Sequence, residues 1–386
     1  MNTILKPLTQ LSEILSGGTP SKKIPEYWDG DIPWISAKTM KTSRVSTSNL
    51  HISKAGLERG SKIAPKGSIL ILTRGSELFN RVPICFVERD VAFNQDVKCI
   101  IPHKNLDGEF LYYFLTSIHD HLLKSIGVTG IGAGKLETNV IENILVPCFP
   151  IEMQKELVKF ISIYDKKIIK NQNESAIMQE ILNALFEHWF LNHNYGVSNV
   201  LDNILEVKIK NKNEENYPVL SVVKEGEFKA SEDVFTKQVY SKSTKNYKIV
   251  RRNQVAYNPA RANIGSIAML KEYDIGLVSP IYTVFEMKDT ITPTFFYYYM
   301  KQPIFQEMIK HHAIGTTRQN FPFEAFKMFP MVVPPMEHQL KFEEIAKPIE
   351  QKIAKLKEEN EVLAEIRDTL LPKLMSGELP VEVGEE

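Results

Sequence analysis

The chain repeats itself at an offset of 185 residues, and this internal repeat limits the possible fold more than any local motif does. Pro150 and Pro335 open the similar segments Pro-Ile-Glu-Met-Gln and Pro-Met-Glu-His-Gln. Nearer the N-terminus, Ile32 and Tyr217 open Ile-Pro-Trp-Ile-Ser and Tyr-Pro-Val-Leu-Ser at the same offset. Because the offset spans a whole domain, we predict that one structural unit occurs twice in the chain.

Each copy has the pattern of a mixed domain followed by a helix. Short apolar runs that are broken by turn residues predict strands at 68–73, 83–87, 97–101, 255–258, 266–270 and 281–285. Apolar residues at steps of three and four predict amphipathic helices over 110–125 and 294–311, and the run 11–15 is also interpreted as helical. We interpret the paired tyrosines of the two amphipathic helices as packing groups and not as platforms for stacked bases.

Two long helices are predicted after Pro150 and Pro335. Proline is tolerated in a first helical turn, and Glu152 and Glu337 would favour the positive end of each helix. Apolar residues then recur at coiled-coil spacing. The predicted seam of the second helix is Ile345, Ile349, Ile353, Leu356, Asn360, Leu363, Ile366 and Leu370, and that of the first is Tyr164, Ile168, Met178, Ile181 and Leu185, interrupted by Asn171 and Ser175. Two such seams in one chain are expected to pair.

The predicted fold class is α+β, with two globular domains in a duplicated arrangement, separated by two long antiparallel coiled-coil helices. The 386 residues are enough for more than one core. The predicted boundaries are 1–150 for the first globular domain, 151–194 for the central long helix, 195–335 for the second domain, and 336–386 for the C-terminal long helix and tail.

The formal net charge of zero hides an alternation along the chain. Residues 1–150 carry +3 and residues 196–335 carry +4, whereas residues 151–195 carry −1 and residues 336–386 carry −6. A surplus of lysine and arginine on the two globular parts permits contact with nucleic-acid phosphates. Surpluses of this size equally fit an ordinary solvated surface.

The amino-acid composition indicates the cellular compartment in which the protein folds. The cysteines Cys85, Cys99 and Cys148 have no metal-like spacing, so we expect them to be core residues in a reducing environment. No apolar run approaches about 18 residues, and the N-terminus lacks the pattern of a signal peptide. We therefore expect a cytoplasmic protein without a membrane partner.

Catalytic motifs are incomplete in this sequence. The segment Tyr-Asn-Pro-Ala at 257–260 lacks the second proline and the aromatic residue of a base-flipping methyltransferase loop. The acid-x-lysine segments at 96–98 and 286–288 lack the further acid of a nuclease site, and the histidines at 119, 121, 311 and 312 are not at equivalent positions of the repeat. No Gly-x-x-x-x-Gly-Lys-Ser/Thr loop for phosphate is present. We expect no catalytic residue, cofactor or metal ligand in this chain.

Two domains on paired helices suit the geometry of duplex DNA. A helix of about 34 residues is ~50 Å long at roughly 1.5 Å per residue. Half-sites on one face of a duplex recur about every 34 Å. Two unlike domains held by such a spacer would read a split and asymmetric target. The alternatives are a self-contained DNA-modifying enzyme and a coiled-coil scaffold whose domains bind protein.

The chain resembles the specificity subunit of Type I restriction-modification systems along essentially its full length. In the first domain the resemblance is carried by Gly-Gly-Thr-Pro-Ser at 17–21, Tyr-Trp at 27–28, Ile-Pro-Trp at 32–34, Leu-Thr-Arg-Gly at 72–75 and Ala-Phe-Asn-Gln-Asp-Val at 92–97. In the second domain it is carried by 256–269 and 278–285, and the closing segment 370–379 resembles the family's C-terminal end. The second domain lacks the Gly-Gly-Thr-Pro-Ser loop.

The resemblance implies a non-catalytic DNA-binding subunit with two target-recognition domains, 1–150 and 195–335. The implied partners are double-stranded DNA, two modification (methyltransferase) subunits and, in the restricting form, two restriction (motor-nuclease) subunits. The implied cofactors belong to those partners: S-adenosylmethionine to the modification subunits, and ATP and Mg²⁺ to the restriction subunits.

Candidate DNA-reading side chains are loop residues that can pair with base edges. Arginine pairs with guanine in the major groove, and asparagine or glutamine pairs with adenine. The candidates are Lys38, Lys41, Arg44, Arg74, Arg81 and Lys135 in the first domain, and Arg251, Arg252, Arg261, Asn263, Arg318 and Gln319 in the second. Arg74 and Arg261 are favoured because each follows a predicted strand and enters a loop that contains glycine. Contacts with phosphate and plain surface positions remain open for all of them.

Overall fold

The computed structural model describes residues 4–130, 132–193, 195–234, 243–312 and 320–379. The chain divides into two units: unit 1 comprises Met1–Gln172 with Lys357–Glu386, and unit 2 comprises Asn173–Leu356. Each unit contains one globular part and one end of each long helix.

The strands of unit 1 are short, and the central ones are rich in the β-branched and apolar residues that favour buried strands. In chain order they are β1 (Leu5–Pro7), β2 (Ser12–Ser16), β3 (Ile32–Ile35), β4 (Arg44–Val45), β5 (His51–Ile52), β6 (Ile63–Ala64), β7 (Ile69–Leu72), β8 (Arg74–Gly75), β9 (Ile84–Val87), β10 (Val91–Phe93), β11 (Val97–Pro102), β12 (Gly127–Val128), β13 (Gly134–Lys135) and β14 (Leu145–Pro147). The order β2-β11-β7-β9-β4 forms the main sheet, and β5-β3-β10-β6 forms a second sheet.

The predicted helix at 11–15 is wrong. Strand β2 occupies this run and pairs antiparallel with β11, with Ile14 opposite Ile100. A five-residue apolar run contains too few residues to distinguish a period of two from a period of 3.6. Pairing with β11, about 90 residues away in sequence, decides the conformation.

The helices of the first part of the chain are α1 (Lys54–Gly60), α2 (Gly108–Ser117), α3 (His119–Lys124), α4 (Thr138–Glu142) and the long α5 (Ile151–Phe186), which continues as a π-helical turn, Glu187–Leu191. The helix predicted over 110–125 is therefore two helices, which meet at Ile118. Just before the break, the Thr116 and Ser117 hydroxyls donate to backbone carbonyls of the same helix at 2.9 and 2.7 Å. Such local bonds compete with the regular helical pattern.

The remaining elements follow the same plan. The strands are β15 (Val197–Asn199), β16 (Ile204–Val207), β17 (Leu220–Val222), β18 (Phe228–Ala230), β19 (Lys248–Arg251), β20 (Val255–Tyr257), β21 (Ile267–Met269), β22 (Ile275–Val278), β23 (Thr283–Met287) and β24 (Pro330–Val332). The helices are α6 (Ser231–Val234), α7 (Pro293–Met300), α8 (Pro303–His312) and the long α9 (Met336–Met375). The helix predicted over 294–311 is again two helices, because Pro303 disfavours helical conformation in the residue before it.

The two units share one chain path, which confirms the predicted duplication. The strand order β2-β11-β7-β9 of unit 1 corresponds to β16-β23-β20-β21 of unit 2. Outside this sheet, Trp34 pairs in parallel with Ala92, and Val219 pairs in parallel with Leu277. Both residues of the second pair lie 185 positions after those of the first.

A buried glutamine joins α5 to the globular part of unit 1. The Gln154 side chain is 1% exposed, and its Nε2 donates to the carbonyls of Asn105 and Phe149 at 3.0 and 2.8 Å. Its Oε1 accepts from the backbone N–H of Asp107 at 2.8 Å. One side chain thus satisfies three backbone groups where the domain meets the helix.

Unit 2 contains the same arrangement around Gln339. Its Nε2 donates to the carbonyls of Thr290 and Pro334 at 3.1 and 2.8 Å, and its Oε1 accepts from Thr292 N–H at 2.8 Å. All four residues are offset by 185 from their counterparts in unit 1, so the repeat extends to individual hydrogen bonds.

Gln154→Ala is expected to lower the free energy of unfolding of unit 1 by about 1–3 kcal/mol, because it leaves buried backbone groups without a partner. Urea unfolding followed by circular dichroism measures the loss. Gln172→Ala, at an exposed position of α5, is the matched control. An equal loss in both variants would contradict the proposed bonding role.

Tyrosines of α2 and α7 pack against the long helices. Tyr113 donates to Asp165 at 2.7 Å, and Arg367 donates to the same carboxylate at 2.6 Å. At the repeat offset, Tyr298 donates to Glu350 at 3.0 Å. Burial, followed by the nearby carboxylate, raises the pKa of both tyrosine hydroxyls. Tyr113 and Tyr298 are at most 1% exposed, which confirms the packing role for these two tyrosines.

In unit 1 the long helices run antiparallel. Asp165 of α5 contacts Arg367 of α9, and six residues later Asn171 Nδ2 donates to Asn360 Oδ1 at 3.0 Å. The residue number of the contact on α9 falls as the residue number on α5 rises. Asn171 is completely buried, so the residue predicted to interrupt the seam is part of it. A polar pair in such a seam fixes the register of the two helices.

The predicted seam is shifted at three positions. Ile181 is 53% exposed, whereas the adjacent Leu182 is completely buried. On α9, Ile345 and Ile366 are about two-fifths exposed, and the neighbouring Ala346 and Arg367 face inward. Where two neighbouring residues both have apolar atoms, spacing alone does not determine which one is buried.

Each core is completed by the far end of a long helix. In unit 1 the cluster contains Leu371, Leu374 and Met375, the last apolar residues of α9. In unit 2 it contains Phe186 and Phe190, which lie 185 positions before Leu371 and Met375. The closing segment therefore has a structural role.

Cys85 and Cys99 are buried core residues as predicted, and burial raises the pKa of each thiol to about 12. Cys148 is partly buried. In the described ranges, no helix is long and apolar enough to span a membrane.

Candidate nucleic-acid interface

The loop that follows β7 presents Arg74 at one end of the main sheet of unit 1. Arg74 is exposed and lies directly opposite Lys135 in the β8-β13 pair. Among the described residues Arg74 forms no ion pair, whereas Lys135 contacts Glu137 at 2.7 Å. The β8-β13 pairing fixes both backbones, so the structure brings these two candidates together on a rigid edge.

Gly134 permits this pairing. A Cβ atom at Gly134 would lie 2.8 Å from Leu78 Cβ and 3.1 Å from the Gly75 carbonyl oxygen, so a larger residue would push the strands apart. Gly134 therefore has a packing role beside Arg74.

Arg81 stabilises a neighbouring loop through hydrogen bonds. Its guanidinium donates to Glu77 at 2.8 and 2.5 Å and to the Met40 carbonyl at 3.1 Å. The loop that contains Met40 carries Lys38 and Lys41, both exposed. Arg81 thus positions the two lysines beside the loop that contains Arg74, and its Nε and Nη2 atoms already donate to Glu77 and to the Met40 carbonyl.

Arg44 is held within unit 1. It contacts Glu109 at 2.5 Å and Glu88 at 3.7 Å, and its guanidinium lies 5.0 Å from the centre of the Phe86 ring. Its side chain is 21% exposed. These contacts favour a structural role for Arg44.

The loop that follows β20 is the counterpart in unit 2. It carries exposed Arg261 and half-buried Asn263. Asn258 Oδ1 accepts from the backbone N–H of Ala260 at 3.1 Å, and Gly265 has a φ of 98°, which suits glycine. Asparagine and glycine thus shape the turn that presents Arg261.

One backbone contact shows that the two loops correspond. In unit 1 the Leu136 N–H donates to the Thr73 carbonyl, and in unit 2 the Phe321 N–H donates to the Pro259 carbonyl, both at 2.9 Å. Candidates Arg318 and Gln319 precede Phe321 and lie outside the described residues.

Arg251 and Arg252 are not brought together with Arg261. They precede β20, whereas Arg261 follows it, so they lie at the opposite end of the strand. Arg252 donates to Asp274 at 2.7 Å and also to the Lys271 carbonyl. Arg251 and Arg261 are only ten residues apart in sequence, but the three-residue strand β20 lies between them and separates them in space.

The Gly-Gly-Thr-Pro-Ser loop lies at the same end of the unit 1 sheet as Arg74. A Cβ atom on Gly17 would lie 2.3 Å from the Phe93 carbonyl oxygen, so glycine allows the two backbones to approach. Thr19 donates to Gln95 Oε1 at 2.5 Å, which places the exposed Gln95 amide at this end. Sequence reasoning omitted Gln95, although it belongs to the Ala-Phe-Asn-Gln-Asp-Val segment.

Unit 2 has lysines at the equivalent position. Lys208, Lys210 and Lys212 follow β16 and are exposed. Sequence reasoning missed them, although their spacing of two is a visible signal for one face of an extended segment.

Both acid-x-lysine segments and His119, which were considered for catalysis, have structural partners. Asp96 accepts from the Asn94 amide at 3.3 Å and Lys98 donates to Ser16 at 2.5 Å, while His119 Nε2 accepts from Val82 N–H at 3.0 Å. Glu286 accepts from the Gln254 amide and Lys288 donates to the Asp202 carbonyl, both at 2.8 Å. Among the described residues, no group of three or more His, Cys, Asp or Glu side chains is placed to hold a metal ion.

Two copies of one α+β domain, each with an exposed arginine loop and each joined to long helices, define a tandem recognition protein. The family model described as the Type I restriction modification DNA specificity domain matches residues 5–179 and again residues 200–366. The chain therefore belongs to the Type I restriction-modification DNA specificity family.

Relatives have the same description. The chain is 27% identical to the Type I restriction enzyme MjaIX specificity subunit of Methanocaldococcus jannaschii, over 98% of this chain and 94% of that protein. It is 31% identical to the Type I restriction enzyme EcoR124I/EcoR124II specificity subunit of Escherichia coli, over 42% of this chain and 40% of that protein.

A solved structure shows the same fold. The crystal structure of the Type-I restriction-modification system S subunit from M. genitalium has a TM-score of 0.57 at 15% identity and covers 97% of this chain and 96% of that chain. Family membership makes DNA target recognition the function of this chain, with the enzymatic activities in other subunits.

Proposed function

We propose that the chain reads a bipartite, asymmetric DNA target, with residues 1–150 selecting one half and residues 195–335 the other. The observation that carries this proposal is the correspondence of the Arg74 and Arg261 loops. Both loops follow the equivalent strand of the repeat and present an exposed arginine at the same sheet end. Because the two loops differ in sequence, the half-sites differ.

The proposed DNA contacts are Lys38, Lys41, Arg74 and Lys135 in the first domain and Arg261 and Asn263 in the second. Arg74 and Arg261 are assigned to base edges, since arginine reads guanine through two parallel hydrogen bonds. The lysines are assigned to phosphates, which orient the duplex without specifying sequence. Arg318 and Gln319 remain predictions, and Arg44, Arg81, Arg251 and Arg252 are assigned structural or surface roles.

The long helices are the proposed binding surface for two modification subunits. Several aliphatic side chains on α5 and α9 are at least half exposed: Ile163, Ile177, Ile181 and Val362. Exposed aliphatic residues spread along helices suit contact with a partner protein. The bound partners would supply S-adenosylmethionine, and restriction subunits would supply ATP and Mg²⁺, in the cytoplasm.

Exchange of residues 1–150 for the corresponding domain of another specificity subunit is expected to change one half of the methylated motif and to leave the other half intact. The measurement is genome-wide mapping of methylated adenines in cells that co-express the chain with a modification subunit. Cells with the chain alone are the control, and methylation there would mean that the chain is itself an enzyme. A change in both halves would contradict independent reading, and absence of duplex binding by the complex would favour the scaffold alternative.

A further inference from the structure

A cluster of lysines on two neighbouring segments of unit 2 has no counterpart among the described residues of unit 1. Lys208 and Lys210 follow β16, and Lys248 begins β19. Lys210 lies directly opposite Lys248 in an antiparallel bridge. In unit 1 the position after β2 is occupied by Gly17 and Gly18 instead.

The backbone under this cluster is fixed. Asn211 is 1% exposed, and its Nδ2 donates to the Thr244 hydroxyl and the Glu215 carbonyl, both at 3.0 Å. The N–H of Asn211 donates to the Tyr247 carbonyl at 2.9 Å. The lysines on either side of Asn211 therefore project from an ordered segment.

The cluster is electrostatically unfavourable by itself. Like charges placed opposite each other in a β-ladder repel. Lys208 contacts Glu206 at 2.8 Å, but among the described residues Lys210 has no side-chain partner. Burial lowers the pKa of Lys248. The neighbouring charges of Lys208 and Lys210 lower this pKa further, and Glu206 opposes the change. An anion bound between the lysines would relieve the repulsion.

The cluster lies at the same sheet end as the Arg261 loop. Val207, at the end of β16, pairs with Val284 of β23, and Ala256 of β20 pairs with the same Val284. Both strands leave the sheet in this direction. Neighbouring strands are about 4.8 Å apart, so Lys208 is about two strand spacings from Asn258, where the Arg261 loop begins.

We propose that Lys208 and Lys210 form a clamp for the DNA phosphate backbone beside the half-site that unit 2 reads, while Lys248, whose ammonium donates to the Tyr282 carbonyl at 2.5 Å, adds positive charge beneath them. This inference rests on the proposed function. Alternate residues of an extended segment are about 6.7 Å apart on one face, a distance comparable with the separation of successive phosphates along a DNA strand. The ammonium groups of Lys208 and Lys210 can therefore contact neighbouring phosphates of one strand.

The clamp contributes to the affinity for the second half-site but not to the choice of its base sequence. Phosphate contacts position a duplex but carry no base information. Each contact releases counterions, so it steepens the dependence of binding on salt. Loss of the clamp therefore weakens binding and lowers the salt dependence, and the recognised sequence stays the same.

The double variant Lys208→Gln with Lys210→Gln tests the clamp in the chain assembled with its modification subunits. Binding to a labelled duplex that carries the mapped target is measured at several salt concentrations. The slope of log affinity against log salt is expected to fall in magnitude by roughly 1.8, at about 0.9 per phosphate contact. The methylated motif is expected to remain unchanged. Lys66→Gln with Lys104→Gln is the control: it removes two exposed charges from unit 1 near the start of α5 and should leave the slope unaltered.

A slope equal to that of the unsubstituted complex would overturn the clamp and leave the proposed function intact. A changed motif would also overturn it, since the lysines would then read bases. Absence of sequence-specific binding by the unsubstituted complex would overturn the proposed function itself. Melting curves of the double variant are expected to match the parent, because both side chains are exposed.

Discussion

Leu182→Ala is expected to destabilise unit 2 by about 2–5 kcal/mol, whereas Ile181→Ala should change the free energy of unfolding by less than about 1 kcal/mol. Leu182 is completely buried in the cluster that contains Phe186 and Phe342, so its truncation leaves a cavity. Ile181 is 53% exposed on the same helix. Hydrogen exchange resolved by peptide measures the loss within unit 2.

These two variants also test the register of α5. The substitutions remove similar side chains from adjacent positions, so helix propensity is nearly matched. A larger loss for Ile181→Ala would show that the seam follows the spacing predicted from sequence. Equal losses would show that α5 rotates between the two registers.

Arg74→Ala and Arg261→Ala are expected to relax the target at one position each, in different halves. Removing a bidentate arginine–guanine contact costs about 1–3 kcal/mol of discrimination, which is roughly a tenfold to hundredfold loss of preference. Methylation mapping and binding to duplexes with single base changes measure the effect. Neither substitution should alter the fold, since both side chains are exposed.

Arg251→Ala is the matched control for these variants. Arg251 is also exposed, but it lies at the opposite end of β20 from Arg261. Its removal should leave the motif unchanged. An effect equal to that of Arg261→Ala would place the interface at the other end of the sheet, and relaxation of both halves by Arg74→Ala would contradict independent domains.

The duplication and the long helices could be predicted from sequence because both are periodic over many residues. The repeat offset extends to Gln154 and Gln339, whose equivalent hydrogen bonds reflect equivalent chain paths. The incorrect predictions concern short segments of the chain. The spacing of apolar residues does not distinguish strand β2 from a helix, and it does not distinguish exposed Ile181 from buried Leu182, because in both cases distant residues decide the outcome.

The candidate interface was predictable only in part. Arg74 and Arg261 are exposed loop residues, as the preceding strand and the following glycine indicated. Arg44 could not be separated from them, because its partner Glu109 lies 65 residues away. Glu77 lies only four residues before Arg81, so the sequence itself contains a signal for the pairing of Arg81 with Glu77.

The order of synthesis acts differently on the two units. Unit 2 is one continuous stretch, Asn173–Leu356, and all of its core residues are available before the last helical turns leave the ribosome. Unit 1 is discontinuous, and its core includes Leu371, Leu374 and Met375. The first domain is therefore synthesised first but completed last. A nascent chain that ends before residue 371 has an intact second domain and an incomplete first domain.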